Sequence, residues 1–260
     1  PGDGRLMVDG WQACAAIVEK GDPVRFASAM AAPVAARARL FPLYAFNVEV
    51  ARAPWVTQEP MIAEMRLQWW RDALAEITAG GLVRRHEVVT PLALVLPPEH
   101  AQMLDETVDA RRWDIGRAPF EDAADFDRYI DQTSGHLMWA AAAMLGAVNE
   151  GAVRDYAYGV GVAQFLVAVP ELEARGRIPL VDGRPEGVQA LAEAALARLR
   201  RGRAEGVARA ARPALWAGWQ AEAVLRQVVA DPRRVAEGTL GLSEFHKRAG
   251  LLRRSLFGLI

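Results

Sequence analysis

The chain has 260 residues, 52% of them hydrophobic, and its 31 Lys and Arg residues nearly balance 32 Asp and Glu residues. The net charge of −1 gives no whole-molecule attraction for nucleic acid, and the single cysteine, Cys14, excludes an internal disulfide framework and favours a reducing, cytoplasmic compartment. No apolar run reaches the roughly 18 residues of a membrane span and no linker-like segment divides the chain, so we expect one domain over residues 1–260.

Helical periodicity recurs along the whole chain, whereas the strict alternation typical of strands is absent. Glycine and proline separate successive helical segments, notably at 21–23, 80–81, 97–98 and 182–185. The predicted helices cover residues 10–20, 23–31, 34–52, 59–79, 98–113, 123–147, 151–174, 187–207, 212–230 and 242–258. We therefore expect an all-α fold.

The third predicted helix carries one line of side chains along most of its length. At 100° per residue, Tyr44, Val48 and Ala51 fall within about 40° of Arg37, and a continued helix would bring Trp55 back to the same line. A largely apolar line of this kind predicts the buried face of a helix. Arg37 then needs a partner, because an unpaired buried charge is very costly.

The fourth predicted helix has a polar face and an apolar face. The polar face carries Glu64, Gln68, Arg71 and Asp72. The apolar face carries Ile62, Met65, Trp69, Trp70, Ala73 and Ile77. Arg66 falls in the middle of the apolar face, so we expect a second core-facing arginine, held by a buried carboxylate or by a bound anion.

Three short strings in the first half of the chain carry a family resemblance. Residues 44–49 read Tyr-Ala-Phe-Asn-Val-Glu, residues 65–70 read Met-Arg-Leu-Gln-Trp-Trp, and residues 129–135 read Tyr-Ile-Asp-Gln-Thr-Ser-Gly. With these strings the chain resembles the squalene/phytoene synthase family over about residues 23–182. It is most similar to the branch that contains a mitochondrial complex I assembly factor. The resemblance implies an isoprenoid-synthase-type helical bundle with a central cavity.

The resemblance also implies two aspartate motifs on facing helices, where active synthases hold magnesium against a prenyl diphosphate. In this chain the first pair of positions carries Ala51 and Trp55, and the second pair carries Glu171 and Arg175. One carboxylate remains of four, and magnesium prefers hard oxygen ligands. We therefore expect no metal or other cofactor, and magnesium only if some synthase activity remains.

The implied cavity gives a set of candidate residues for contact with a ligand. They are Arg37, Tyr44, Val48, Arg66, Gln164, Glu171 and Arg177. Gln164 and Arg177 belong to the second motif, whose Gln and Gly-Arg elements still match the family. Without a metal, Arg37, Arg175 and Arg177 could still bind an anion.

The loss of acids from both motifs implies a family member that works by binding. We expect a non-catalytic homologue that assists assembly of respiratory complex I or a related membrane complex, with respiratory subunits or a lipid as partners. Two alternatives stay open. One is an active prenyl-diphosphate transferase that uses Glu171, and the other is a carrier of isoprenoid or quinone-like lipids in the cavity.

Two literal Asp-x-x-x-Asp strings lie outside the family positions. They are Asp105 with Asp109 and Asp127 with Asp131, and each pair would share one helix face. Arginines follow Asp109 at helical spacing, which favours a solvated face with Asp–Arg pairs over a metal site. The four histidines show no metal-ligand spacing either.

Residues 246–260 combine cationic and apolar side chains, as helices at membrane interfaces do. This pattern has two interpretations. The segment contacts the inner face of a membrane peripherally, or it forms a C-terminal helix that docks on the core with a solvated basic face.

Overall fold

The structure, a computed structural model, describes residues 3–243, 250–254 and 258–260, with side chains from residue 10 onward. Within these ranges the chain has no strand, which confirms the all-α prediction. The α-helices are α1 (Asp3–Gly21), α2 (Pro23–Ala31), α3 (Val34–Arg52), α4 (Pro60–Thr78), α5 (Val89–Ala93), α6 (Pro98–Ala110), α7 (Ala123–Ile130), α8 (His136–Met144), α9 (Glu150–Ala174), α10 (Pro185–Glu205), α11 (Arg212–Leu215), α12 (Ala221–Ala230) and α13 (Arg233–Ala236).

Several helices begin where the sequence supplies a cap. The Asp22 carboxylate accepts a hydrogen bond from the Arg25 amide at 2.9 Å and so caps α2. The Asn149 side chain accepts from the Ala152 amide at 3.1 Å and caps α9. Proline is the first residue of α4, where its missing amide hydrogen costs nothing. Local sequence signals therefore explain most helix starts.

The predicted elements differ from the structure at several places. The helix predicted at 123–147 is divided into α7, a π-helical turn at Asp131–Gly135, and α8. The helix predicted at 212–230 breaks around Gly218, whose position lies so close to Val160 that an added Cβ would stand 2.2 Å from that side chain. The short helices α5 and α13 were too brief for periodicity to predict. Most of the helix predicted at 242–258 lies outside the described residues, although 250–254 is helical.

The core of the bundle forms around α9 and α3. Helix α9 packs against α10, α12 and the π turn, and α3 packs against α1, α2 and α8. Large buried side chains such as Phe41, Tyr44, Phe46 and Tyr156 join these layers into one apolar cluster. The two long helices therefore provide fixed walls on either side of the space between them.

Helix α4 corrects part of the sequence prediction. Trp70, Ala73 and Ile77 are buried as predicted, but the preceding turns expose Ile62 and Met65 to solvent. Arg66, predicted to face the core, is exposed as well. The buried face of these turns is carried instead by Ala63 and Leu67, because α6 and the 53–55 turn pack on that side of α4.

Arg37 finds a partner other than the carboxylate or anion that the wheel predicted. Its Nε donates to the carbonyl of Ala32 at 2.8 Å, and the side chain is half-buried. The charge thus lies at the edge of the bundle, where water can reach it, and it ties the start of α3 to the preceding turn.

The described parts of the C-terminal segment contact the bundle. Trp216 donates through Nε1 to the carbonyl of Leu259 at 2.8 Å, and Arg212 donates to the carbonyl of Gly258 at 2.7 Å. Residues 244–249 and 255–257 lie outside the described residues, so the prediction for 246–260 is tested only in part. Across the described helices, none is both long enough and apolar enough to span a membrane.

Candidate functional site

A cavity of about 450 Å³ lies between α3 and α9. The turn after α6 and the π turn close its inner end. Its walls combine apolar side chains with charged and polar ones. The lining residues are Gly21, Asp22, Arg25, Asn47, Val48, Ala51, Arg52, Trp55, Arg111, Asp114, Tyr129, Ile130, Thr133, Ser134, Gly161, Gln164, Phe165, Ala168, Glu171, Leu172 and Arg175.

The inner wall contains a buried charged cluster. Asp114 receives hydrogen bonds from Arg111 at 3.3 Å and from the Tyr129 hydroxyl at 3.2 Å, and Arg111 also donates to that hydroxyl at 3.0 Å. Burial raises the pKa of the Asp114 carboxyl, and the Arg111 cation opposes the rise. Burial likewise raises the pKa of Tyr129. The cluster is therefore a pre-formed polar surface at the closed end of the cavity. We refer to these three residues as the inner cluster.

Arg177 supports this wall from behind and does not line the cavity. It is buried, and it donates to the backbone carbonyls of Trp113, Asp114 and Gly116, the second of these at 3.1 Å. Its guanidinium also lies over the Trp113 ring, 4.2 Å from the centroid. The Gly-Arg element of the second motif thus holds the turn that presents Asp114.

A second polar corner joins α2 to α9. Arg25 forms an ion pair with Asp22 and donates to the Gln164 side chain at 3.3 Å. Tyr44 lies behind this corner, with the Arg25 guanidinium 5.9 Å from its ring centroid. Its buried hydroxyl has no hydrogen-bond partner among the described residues, and burial raises its pKa. Gln164 therefore reaches the cavity as the resemblance implies, whereas Tyr44 packs beside it.

The mouth of the cavity brings together three of the four positions at which the resemblance implies metal-binding acids. The Arg175 guanidinium lies over the Trp55 ring, 4.6 Å from its centroid. Arg175 also forms an ion pair with Glu171, with Nη2 and Oε1 2.5 Å apart. Ala51, the fourth position, lines the same wall and brings no polar atom. We refer to Trp55, Glu171 and Arg175 as the mouth cluster.

The donors at the mouth do not fit a magnesium ion. Glu171 supplies a carboxylate, but it is already paired with a cation that would repel the metal. Two further acids of the cavity wall, Asp22 and Asp114, are paired with arginines as well. Within the described part of the chain, no group of three or more His, Cys, Asp or Glu residues is arranged to hold a metal ion.

The charges around the cavity balance one another. Each of the arginines on its wall has an acidic partner: Arg25 with Asp22, Arg52 with Glu49, Arg111 with Asp114, and Arg175 with Glu171. A ligand with several negative charges would have to compete with these acids for each guanidinium. The walls offer hydrogen bonds and apolar surface with little free positive charge, which suits an uncharged amphiphile better.

The π turn supplies two wall residues that sequence reasoning missed. Thr133 donates to the Tyr129 carbonyl at 2.7 Å, and Ser134 donates to the Ala157 carbonyl on α9 at 2.9 Å. Gly161 permits this approach, since an added Cβ would lie 2.7 Å from that of Ser134. The run of Thr133, Ser134 and Gly135 inside a long helical pattern was the available signal, because these residue types have lower helix propensity than those around them.

The remaining predicted residues lie elsewhere. Val48 is on the cavity wall, whereas Arg37 and Arg66 are not, and Arg66 borders a second pocket of about 210 Å³. Of the acidic pairs outside the family positions, Asp105 and Asp109 both bind Arg71, at 2.7 and 3.2 Å. This arrangement agrees with the predicted solvated face.

Comparison with known proteins confirms the predicted family. A profile of the squalene/phytoene synthase family matches residues 18–181. Complex I assembly factor 6 homologue of Drosophila melanogaster is 28% identical over 183 residues, which are 65% of this chain and 53% of that protein. Human complex I assembly factor 6 is 23% identical over 167 residues, 59% of this chain and 46% of that protein. The match spans about half the length of these curated relatives.

Solved structures show the same fold at low identity. A dehydrosqualene synthase in complex with a ligand superposes with a TM-score of 0.79 over 98% of both chains, at 13% identity. A squalene synthase from Alicyclobacillus acidocaldarius gives a TM-score of 0.71 over 91% of this chain and 97% of that one, at 16% identity. These likenesses confirm the isoprenoid-synthase-type helical fold, and at such identities they carry no argument about activity.

Proposed function

The chain belongs to the squalene/phytoene synthase family, and from that premise we propose that it is a metal-independent binding protein that assists assembly of respiratory complex I. The observation that carries the proposal is the mouth cluster. Arg175 occupies a position where synthases need an acid, and it covers Trp55, which occupies another. The retained cavity and the altered mouth together favour binding over catalysis.

A prenyl transfer requires stabilisation of negative charge in its transition state. Ionising a diphosphate concentrates negative charge on the leaving group, and magnesium held by carboxylates normally stabilises it. Losing one electrostatic stabiliser of this kind typically costs on the order of 3 kcal/mol, or about a hundredfold in rate. Here Ala51, Trp55 and Arg175 replace three such groups. A useful rate of turnover would then require a different set of stabilising residues.

The proposed process, assembly of complex I, is taken from the similar proteins that are named as complex I assembly factors. Their identity to this chain is at most 28%, and the match covers about half of their length. Partners and location are therefore part of the proposal. We infer that the protein acts beside the membrane that holds the complex, at its inner, cytoplasmic face, and recognises subunits of the respiratory complex before they are fully assembled.

A second candidate function is the carriage of an isoprenoid or quinone-like lipid. The balanced charges on the cavity wall and the volume of about 450 Å³ favour it, because pockets for small molecules occupy about 300–1,000 Å³. Mass spectrometry of lipid that co-purifies with the protein tests this function. An Ala168→Trp variant, which fills the cavity, should lose the lipid, whereas a variant at exposed Glu173 should keep it.

Deletion of the gene in the native host tests the assembly role. The proposal predicts less assembled complex I on native gels and less NADH:quinone activity, both restored by the wild-type gene. A Glu171→Ala gene should restore both equally well, and Glu173→Ala serves as its matched control, since both side chains are exposed on the same helix. Unchanged complex I after deletion, or rescue that fails with Glu171→Ala alone, would count against the proposal.

Membrane contact through residues 246–260 stays a prediction. The described contacts of Leu259 and Gly258 with the bundle fit the alternative in which this segment docks on the core. Co-sedimentation with anionic vesicles tests the point with a chain truncated before Leu251. Reduced sedimentation of the truncated chain would support the segment as a membrane contact, and unchanged sedimentation would remove it from consideration.

A further inference from the structure

The first two turns of α4 present an apolar surface that no described residue covers. Met61 is 76% exposed, Ile62 46% and Met65 66%. Ile62 and Met65 share a helix face with Arg66 and Trp69, because residues three and four apart are neighbours. Single exposed apolar residues are ordinary, whereas a contiguous group on one face marks an interaction site. We refer to Met61, Ile62 and Met65 as the α4 patch.

A small aromatic pocket adjoins this patch. It has a volume of about 210 Å³, and its lining includes Glu49, Arg52, Arg66, Trp69, Trp70 and His86. Its rings are fixed against one another: the centroids of Trp69 and Trp70 are 4.9 Å apart, and those of Trp69 and His86 are 5.0 Å apart. The volume is below the roughly 300–1,000 Å³ of small-molecule sites and suits one large side chain.

The charges at the pocket are paired with one exception. Arg52 binds Glu49 at 3.0 Å. Just beyond the lining, Arg84 binds Glu76 at 2.8 Å while its guanidinium lies 4.8 Å from the Trp69 ring centroid. Arg66 is exposed, and its guanidinium has no ion pair or hydrogen bond within the described part of the chain. A complementary ligand therefore brings a carboxylate to this edge of the pocket.

The helix start adds a charge of opposite sign. Glu59 precedes α4 and its carboxylate has no ion pair with a described residue. It lies seven residues from Arg66, which is about 10 Å along the helix axis. The patch between them is apolar, so the surface has a positive end at the pocket and a negative end at the helix start. Opposite charges at the two ends of one surface specify the direction in which a partner binds.

We propose that the pocket and the α4 patch together dock a helical segment of a partner protein. That segment inserts one large apolar side chain between Trp69, Trp70 and His86 and lays further apolar residues on the patch. It also places an acidic residue on Arg66. The adaptable Met side chains suit contact with such a helix. The proposal rests on the proposed binding function for the existence of a partner and adds the surface and the class of segment that it recognises.

A protein segment fits these observations better than a bilayer. Attraction to anionic membranes accumulates from several cations at about 1 kcal/mol each, and this surface has one free arginine at one end and a free acid at the other. A pocket the size of one side chain is the usual anchor of a protein interface, where a few aromatic and arginine contacts dominate binding.

Photo-crosslinking in the native host tests the proposal with the full chain. A photoreactive amino acid replaces Met65, and the matched control carries it at Val148, which is 92% exposed in the loop before α9. We expect a protein adduct from position 65 and none of that mass from position 148. The crosslinked peptide should contain apolar residues at helical spacing and a neighbouring Asp or Glu.

Charge reversal then tests the role of Arg66. Arg66→Glu should lower the crosslinking yield at least about tenfold, because it replaces an attraction by a repulsion at the anchor. Arg117→Glu is the matched control, since Arg117 is exposed, lines neither pocket and has no ion pair among the described residues. Reversal of the partner's acid to Arg should restore the yield with Arg66→Glu.

Several results would overturn the proposal: adducts to lipid alone, adducts to a second copy of this chain alone, no adduct, or a yield that Arg66→Glu leaves unchanged. Failure of the docking proposal can be distinguished from failure of the proposed function. A partner that meets these criteria but has no part in complex I would contradict the assembly role and leave the docking surface intact. Loss of complex I after gene deletion, without an adduct at position 65, would support the assembly role and contradict the docking surface.

Discussion

The two ends of the cavity hold their charges in different ways. At the inner end, the side chains of Asp114 and Arg111 are 4% and 16% exposed. At the mouth, those of Glu171 and Arg175 are 71% and 44% exposed. A buried pair cannot lose one member without leaving an uncompensated charge, whereas an exposed pair contributes little to stability.

This difference explains how the cavity can persist while its mouth changes. The inner cluster is coupled to the fold through Arg177 and the turn that it holds, so substitution there disturbs the whole wall. Glu171 and Arg175 face water and Trp55 is only half-buried, so substitution at these positions is expected to disturb the bundle less than substitution in the inner cluster. The positions that would carry metal chemistry are therefore the ones that the fold constrains least.

Removal of the inner carboxylate should have the largest effect. Asp114→Ala leaves Arg111 buried without its partner, and we expect a loss of about 3–5 kcal/mol in the free energy of unfolding. Urea denaturation measures it, with Glu171→Ala as the matched loss of an exposed partner, expected below about 1 kcal/mol. Equal losses of unfolding free energy in the two variants would contradict the difference in coupling between the inner end and the mouth.

Substitution of Arg177, the arginine behind the inner wall, should have the next largest effect on stability. Arg177→Lys keeps the charge but cannot donate from a planar fork to three carbonyls, so at least one buried carbonyl loses its partner. We expect a loss of about 2 kcal/mol in unfolding free energy, with Arg175→Lys near zero as the control. A neutral Arg177→Lys would show that the turn holds its shape without this residue.

A pH effect should follow at His136, which adjoins the π turn of the inner wall. Burial, and then the Arg154 cation, lower its pKa below 6.5, although Asp131, Glu106 and Glu150 oppose this. The folded state thus favours the neutral ring, and the unfolded chain binds more protons below pH 6.5. Stability should therefore fall as the pH drops from 6.5 through the lowered pKa of the folded state.

Denaturation curves at pH 7.5 and 5.5 measure this contribution. The stability of the wild-type protein should decrease more between these values than that of His136→Gln, which lacks the titrating ring. Identical pH dependence in the two proteins would show that His136 does not contribute to the loss of stability at low pH. His100→Gln provides a comparison, because burial lowers the pKa of His100 as well.

The smallest effect on stability should come from the mouth. Trp55→Phe keeps an apolar ring against the core but shortens the half-buried surface beneath Arg175, and we expect a loss below about 1 kcal/mol. The same variant widens the entrance, so uptake of a fluorescent apolar probe should become faster while the unfolding curve stays in place. Marked destabilisation without faster uptake would mean that Trp55 is a structural residue.

The sequence alone predicted the helical fold and the family, and it located the mouth more accurately than the inner wall. The helical wheel of α3 placed Val48 on a buried face, in agreement with the structure, because residues 40–48 are all buried. The wheel of α4 misplaced Arg66 because periodicity identifies an apolar face and cannot say whether another helix covers it. Here the bundle covers the predicted apolar face only in the later turns of α4, and it covers a different face, with Ala63 and Leu67, in the earlier turns.

The inner cluster was not predicted from the sequence, for a different reason. Asp114 lies in the turn after α6 and Tyr129 lies on α7, and a contact between two separate elements leaves no periodic signature in the sequence. Arg177 was recognised from the Gly-Arg element and assigned to the cavity, yet its contacts are with backbone carbonyls. Spacing within one helix is encoded locally, whereas such contacts depend on how the helices pack.

Release of pyrophosphate from farnesyl diphosphate in the presence of magnesium measures whether the protein retains synthase chemistry. We expect no release above a protein-free control, for the wild-type protein and for Glu171→Ala alike. Magnesium-dependent release by the wild-type protein that disappears in Glu171→Ala would contradict the proposed metal-independent function and would establish an active transferase.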